Sequence, residues 1–326
     1  MKGTVRKPAV IGFDTSNYRT SVAAVTLDGE ILTDFRELLP VSEGKRGLRQ
    51  SEAVFAHIRQ MRDCEGMLRS KADEIQIVAA AASTKPRDGE ESYMPVFQTG
   101  YTAATVLAAS LNIPFYATTH QRGHLVAAAF GTPLQDTAQM LALHLSGGTT
   151  DLLKTDGERV SRLGGSADLH AGQLVDRAGV AMGLGFPAGE ALEEMALRGK
   201  STGQIGCSME ENDLVCHLSG AETKVQQWIR EQSFRREDIA MEIYDMLART
   251  IVRMLKAGSR ETGLHQALLT GGVASSALLR ELLETRRKKM QGCPEMVFGK
   301  PERSGDNAVG VALIGRNRFL RADASD

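Results

Sequence analysis

The feature of this chain that most constrains its fold is a plan of elements stated twice. "PAVIGFDTS" and "TSVAAVTLDGEIL" (residues 8–16 and 20–32) read as two β-rich runs around a polar turn, with the Asp28-Gly29 pair turning into a third strand. A helix with apolar residues at helical spacing ("SEAVFAHIRQMRDCEGMLRS", 51–70), a buried strand ("EIQIVAAAAS", 74–83), a small-residue helix (96–112) and the strand "IPFYATT" follow. From about residue 138 the order begins again with "MLALHLSGGTTDLLKT", and "LTGGVASSALLRELL" later supplies a strand, a glycine turn and a helix. "IGFDTSNYRTSVAAV" and "LHLSGGTTDLLKT" are then equivalent hairpins, each with a polar turn able to wrap phosphate oxygens with backbone N–H groups. The repeat predicts an α/β protein of two lobes with a nucleotide between them. Further helical patterns cover roughly 171–198, 221–231 and 234–257, a polar connection or insertion covers 199–220, and "SGDNAVGVALIGRNRFL" is a loop entering a last helix.

A chain of 326 residues is long enough for two such lobes. Its 33 glycines suit many tight strand-to-helix turns. With a net charge of −1, a nucleic-acid partner would be held by local basic patches or a second subunit, not by the global field. Cys64, Cys207, Cys216 and Cys293 stand far apart with no CxxC pairing, which argues for a reducing compartment and against a thiolate zinc site. No apolar run approaches the roughly 20 residues of a membrane span. The start "MKGTVRKPAVIGFD" lacks the apolar stretch of a secretory signal, so the expected location is the cytoplasm.

Four constellations can carry chemistry. In "HQRGH", His120 and His124 stand at i and i+4, close enough on one helix face to share an ion, although such a pair also arises by chance. A zinc protease of the HExxH type needs Glu after its first His; Gln121 stands there and cannot act as a base. Ser146-Gly147-Gly148 and Thr270-Gly271-Gly272 each follow an apolar strand, where glycine serves either phosphate binding or a turn with positive φ. Between them lie Asp168, Asp176 and Glu190, carboxylates among small residues near Pro187 and Gly189. Such a carboxylate can hold ribose hydroxyls, or Asp176 can be a solvated helix residue beside Arg177. Asp306 stands where a loop meets a helix, which on its own reads as an N-cap.

In order along nearly the whole chain, "IGFDTSNYRTSVA", "HQRGH", "LSGGTTDLL", "DLHAGQLVDRAGVAMGLGFPAG", "LTGGVASSALLR" and "GDNAVGVA" resemble the tRNA threonylcarbamoyladenosine transferases of TsaD type, once called O-sialoglycoprotein endopeptidases or glycoproteases. The resemblance implies the two-lobed fold of actin, sugar kinases and Hsp70 ATPase domains, placed here as a first lobe over 1–119 and a second over 120–326 that carries the metal and nucleotide site, with the last helix able to return to the first lobe. It implies His120, His124 and Asp306 as ligands of one divalent metal, iron or zinc, with no catalytic residue beyond that site. It also implies Ser146, Gly147, Gly148, Asp176, Gly189, Gly271, Gly272 and Ser276 as the surroundings of an adenine nucleotide or acyl-adenylate substrate. The chain departs from the family pattern at Arg19 (an acid in "ETSCDET"), Gln173 (the acid of "AGE"), Ser276 (the Asn of "GGVAAN") and across "STKPRDGEESYMPVFQTG", which marks a divergent paralogue.

The implied reaction moves a threonylcarbamoyl group from its adenylate to an adenosine of tRNA, with at least one protein partner of the tRNA-modification machinery and no membrane. "RRKK" (286–289) and Arg235-Arg236 are candidate phosphate contacts or solvated helix faces. Two other readings stay open on sequence alone: a related carbamoyl transferase acting on a protein or small molecule, and a non-catalytic nucleotide-binding scaffold.

Overall fold

A computed structural model describes residues 6–41, 48–89 and 91–324; the first five residues of the basic amino-terminal segment lie outside it. The chain forms two compact units, Met1–Phe130 with Gly305–Asp326, and Gly131–Ser304. The expected boundary after residue 119 therefore moves. The helix that carries both histidines belongs to the first unit, together with the last helix, because those two helices pack against each other.

In the first unit, β1 (Lys7–Thr15), β2 (Arg19–Thr26) and β3 (Ile31–Leu38) form an antiparallel meander, and β4 (Ile75–Lys85) and β5 (Phe115–Thr119) add in parallel beside β1. The sheet order is β3-β2-β1-β4-β5. Strand alternation sends Ile11, Phe13, Ala80 and Ala82 to one face, packed with Cys64 of α1 (Gln50–Ser70) and Ala104 and Ala108 of α2 (Phe97–Leu111). On the other face the last helix, α9 (Val309–Asp323), lies directly on backbone. A Cβ on Gly12 would stand 2.5 Å from the Ala312 nitrogen, and one on Gly315 would stand 2.8 Å from the Ala81 Cβ.

In the second unit β6 (Gln139–Leu145), β7 (Thr150–Asp156) and β8 (Arg159–Ser166) repeat the meander, and β11 (Gln266–Thr270) and β12 (Glu295–Phe298) repeat the two parallel additions. The order β8-β7-β6-β11-β12, with the same strand senses, is that of the first sheet, and this is the duplication read from sequence. The segment 199–220 is more than a polar connection. Its strands β9 (Ser208–Met209) and β10 (Val215–His217) extend the sheet past β8, and Ile205, Leu214, Cys216 and Leu218 are buried.

The helical pattern over 171–198 breaks into α4 (Ala171–Ala181) and α5 (Gly189–Ala196), with Pro187 in a cis peptide between them. Helix α6 (Ser219–Glu231) follows, and α7 (Arg236–Thr262) runs past the expected end to Gly263, whose φ of +70° closes it. Helix α8 (Ala277–Arg287) completes the unit. The core of this unit gathers around α7, which buries one face from Ile239 to Ala257. Among the described residues no helix is long and apolar enough to cross a membrane.

Adding a methyl at Gly12 forces α9 off the sheet, since the obstructing atoms are backbone. Gly12→Ala is expected to lose about 3 kcal/mol of stability in urea unfolding. Gly220→Ala, in α6 with nothing within 4 Å of the added carbon, should leave the midpoint unchanged or raised.

Candidate metal centre

Helix α3 (His120–Ala129) begins where β5 ends. Thr119 caps it, its Oγ1 accepting from the Arg122 N–H at 3.3 Å. The i, i+4 spacing sets the two imidazoles together, with Nε2 of His120 3.1 Å from Nε2 of His124. Asp306 arrives from the other end of the first unit's sequence. Its Oδ1 lies 3.0 Å from His124 Nε2 and 3.7 Å from His120 Nε2. Asp306 is no helix cap: α9 starts three residues later, behind Ala308, and the carboxylate turns toward the imidazoles.

This convergence depends on two glycines. A Cβ on Gly310 would overlap the carbonyl of Gly123, and one on Gly123 would press on Val311 at 3.0 Å, so α3 and α9 touch backbone to backbone. That explains why Gly123 stands between the histidines.

One ligand atom from each of His120, His124 and Asp306 falls within 4.8 Å of the others. Three donors around a tetrahedral ion with bonds of about 2.1 Å would be separated by about 3.4 Å. The observed separations of 3.0, 3.1 and 3.7 Å match one face of such a tetrahedron. Two imidazoles and one carboxylate suit zinc or iron, and they leave positions open for water or substrate.

The residues that orient these donors were not singled out in the sequence. Asp14, buried at the end of β1, contacts His120 Nδ1 through both oxygens, at 2.9 and 3.0 Å, and accepts from the Ser83 hydroxyl. A carboxylate on Nδ1 fixes the tautomer that leaves the Nε2 lone pair facing the centre. Ser16 Oγ donates to Asp306 Oδ2 and accepts from the N–H groups of Tyr18 and Arg19, at 3.3 Å each. Beneath this turn His57 from α1 is fully buried; its Nε2 lies 2.8 Å from the Ser16 carbonyl and its Nδ1 2.7 Å from Thr20 Oγ1. Burial lowers the His57 pKa, so this ring is neutral and structural. A polar residue at a strand end ("FDTS") was the only available signal for Asp14 and Ser16, and it did not say what they would face.

Electrostatics bind the group together. Burial disfavours a charged imidazole at His120, but the Asp14 and Asp306 carboxylates outweigh it and push its pKa up to about 9 in the ion-free protein. Burial likewise opposes charge on Asp306, yet His120, His124 and the Ser16 hydrogen bond hold its carboxyl well below the usual range.

The other expected site residues lie in the second unit. Ser146–Gly148 form the turn between β6 and β7, closed by the Ser146 N–H on the Thr149 carbonyl at 2.8 Å. Gly172 of α4 packs on Gly147, where a Cβ would stand 2.7 Å from the Gly147 Cα. Gly271 has φ of +101° and its missing Cβ faces the Leu145 carbonyl, so only glycine fits there. Because β6 and β11 are parallel neighbours, both glycine turns emerge at the same sheet edge. Asp176 lies one turn beyond Gly172; its Oδ1 accepts from the Ala188 N–H at 2.8 Å, which ties α4 to the residue before Gly189.

Ser276 caps α8, its Oγ accepting from the Leu279 N–H at 3.1 Å. Asp168 clamps the start of α6 through the N–H groups of Leu218 and Ser219, and Glu190 is exposed. The arginines of the basic runs are engaged within the chain: Arg286 pairs with Asp245, Arg287 with Glu284 at 3.0 Å, Arg235 with Glu237 at 3.4 Å, and Arg236 donates to the Met182 carbonyl.

Solved structures share this architecture. HypF from T.kodakarensis aligns with a TM-score of 0.62 at 15% identity, over 97% of this chain and 48% of HypF. A ROK hexokinase from Thermus thermophilus aligns with a TM-score of 0.52 at 17% identity, over 95% of this chain and 99% of the hexokinase. The fold is thus that of the actin-like ATPase and sugar-kinase class. Within it, the family model of the tRNA N6-adenosine threonylcarbamoyltransferases (TsaD) matches residues 94–308, a span that contains all three clustered donors. The chain belongs to that family. A relative of that name from Thermofilum pendens (strain DSM 2475 / Hrk 5) is 26% identical over 97% of this chain and 90% of its own length.

Replacing Asp14 by Asn removes the charge that outweighs burial at His120. Its pKa, followed by NMR in ion-free protein, should fall from about 9 toward or below the ordinary 6.5. Because the folded-state pKa lies above the unfolded one, the His120 contribution to ion-free stability is complete below pH 6.5 and lost as pH rises through about 9. Thermal unfolding of wild type should show that loss, and Asp14→Asn should not.

Proposed function

We propose that this chain transfers a threonylcarbamoyl group from threonylcarbamoyl adenylate to an adenosine amine of tRNA, using one divalent iron or zinc ion held by His120, His124 and Asp306. The observation that carries the reading is the convergence of those three donors in a member of this family. The ion, when bound, supplies a Lewis acid that polarises an acyl carbonyl.

The chain's own residues do the rest. Asp14 keeps the proton of His120 on Nδ1, and Ser16 holds one oxygen of Asp306 so that the other faces the imidazoles. Ser146, Gly147, Gly148, Gly271 and Gly272 offer backbone N–H groups to the donor's phosphate, with Asp176, Gly189 and Ser276 beside its nucleoside. Asp176 keeps a second carboxylate oxygen for a ribose hydroxyl, whereas the Ser276 hydroxyl is already committed to its helix. Gln121 stands where the HExxH proteases carry their base, which weighs against peptide hydrolysis.

With most of the basic runs engaged in intramolecular pairs, tRNA binding calls for a protein partner that adds surface to this nearly neutral chain. We place the reaction in the cytoplasm.

The test is transfer of labelled threonylcarbamoyl from its adenylate to unmodified tRNA, with metal content measured on the same preparations. The His120→Ala, His124→Ala double variant should lose bound metal and at least a hundredfold in rate. Undiminished transfer by that variant removes the metal from the mechanism. Consumption of the adenylate with no modification of tRNA would move the acceptor to a protein or small molecule. A further expectation follows from His120, which must lose its proton to bind metal. Apparent zinc affinity, measured by chelator competition, should rise by up to about tenfold per pH unit between pH 6.5 and about 9.

A further inference from the structure

The hydrogen bonds at the centre do not close among the side chains alone. Arg19 opens β2 from the same turn that seats Ser16: its N–H donates to Ser16 Oγ at 3.3 Å, and its carbonyl accepts from the Ser16 N–H at 3.2 Å. That turn brings the guanidinium against Asp306, with Nη1 donating to the Asp306 main-chain carbonyl at 3.3 Å and lying 3.4 Å from where a Cβ on Gly305 would stand. Among the described residues Arg19 has no carboxylate within ion-pair distance, and its Nε is buried without a hydrogen-bond acceptor. A buried N–H of a permanent cation is rarely left unmatched, because its desolvation is costly. Placing a divalent ion on His120, His124 and Asp306 adds an imbalance of charge. The carboxylates of Asp14 and Asp306 offset the ion, and Arg19 then stands as an unbalanced positive charge close to it. An arginine kept beside a cation is stabilised by an anion that both can reach.

We infer that Arg19 is a substrate-binding residue that receives an oxyanion of the acyl donor next to the metal centre. The inference rests on the reading of the donor as an acyl adenylate, whose two oxyanions are the carboxylate of the threonyl part and the phosphoryl group. A guanidinium fork suits either, since both present two oxygens in the spacing of its N–H groups. The family pattern carries an acid at this position, so the oxyanion contact of Arg19 belongs to this chain and leaves the three metal donors as they are.

The experiment uses the full-length protein loaded with zinc and calorimetric titration of two fragments, AMP for the phosphoryl group and N-carbamoyl-threonine for the carboxylate. The wild type should bind at least one. Arg19→Gln should weaken that fragment at least tenfold, and the fragment that loses affinity identifies the oxyanion. Arg19→Lys keeps the charge without the fork; it should retain part of the affinity and serves as the second variant if Arg19→Gln does not fold. With the intact adenylate, Arg19→Gln should raise KM at least tenfold and hold kcat within about twofold, a split that a merely structural role for Arg19 would not produce. Fragment affinities within twofold across wild type and both variants overturn the inference, as does the absence of binding by either fragment. Arg19-dependent fragment binding in a protein that transfers nothing to tRNA supports this site and overturns the proposed transfer. Transfer with an unchanged KM in Arg19→Gln does the reverse.

Discussion

Where α3 crosses α9 two glycines let backbone meet backbone, and the candidate centre depends on that contact. Gly310 sits where any larger residue would collide with the Gly123 carbonyl, and Gly123 in turn admits Val311. Backbone-to-backbone packing brings two helix axes closer than side chains permit, and that closeness is why a carboxylate from residue 306 reaches imidazoles at 120 and 124. A second close approach, Gly12 against Ala312, sets α9 on the sheet and so sets the loop before it. The positions of the three donors are decided by glycines that touch no ligand.

Around that frame the site is organised by hydrogen bonds to groups that are themselves fixed. Asp14 is held by Ser83 of the neighbouring strand before it reaches His120, and Ser16 is held by its own turn, with buried His57 beneath it, before it reaches Asp306. His120 and Asp306 each therefore have one atom committed to the protein and one facing the centre, the arrangement that makes a ligand set rigid. Concentrating two carboxylates and two imidazoles in a buried place also explains why proton and metal compete there. The field that keeps His120 protonated when the site holds no ion is the field that favours a dication.

The duplicated sheet was legible because it rests on local signals: two hairpin patterns, strand-length apolar runs and helix periodicity all recur in the same order. The glycine turns were legible for the same reason, as Gly-Gly after an apolar strand has few conformational uses, and Gly271 realises one of them. The break between α4 and α5 and the strands within 199–220 were less visible. The first keeps apolar spacing on both sides of Pro187. The second has strands of two and three residues, too short to show an alternating pattern, although Ile205, Leu214, Cys216 and Leu218 of that segment join the core.

By itself the sequence determined the α/β class, the repeat, the candidate donors and the family pattern they match, because each of these is written in spacing and residue type along the chain. Only the tertiary structure decided that α3 belongs with the first unit, and it brings Asp306 to the histidines as the family pattern implied. It alone supplied Asp14, Ser16 and Arg19 as the groups around them. Those facts depend on contacts between residues up to 290 positions apart, and no local pattern encodes which distant side chain a folded backbone will bring within reach.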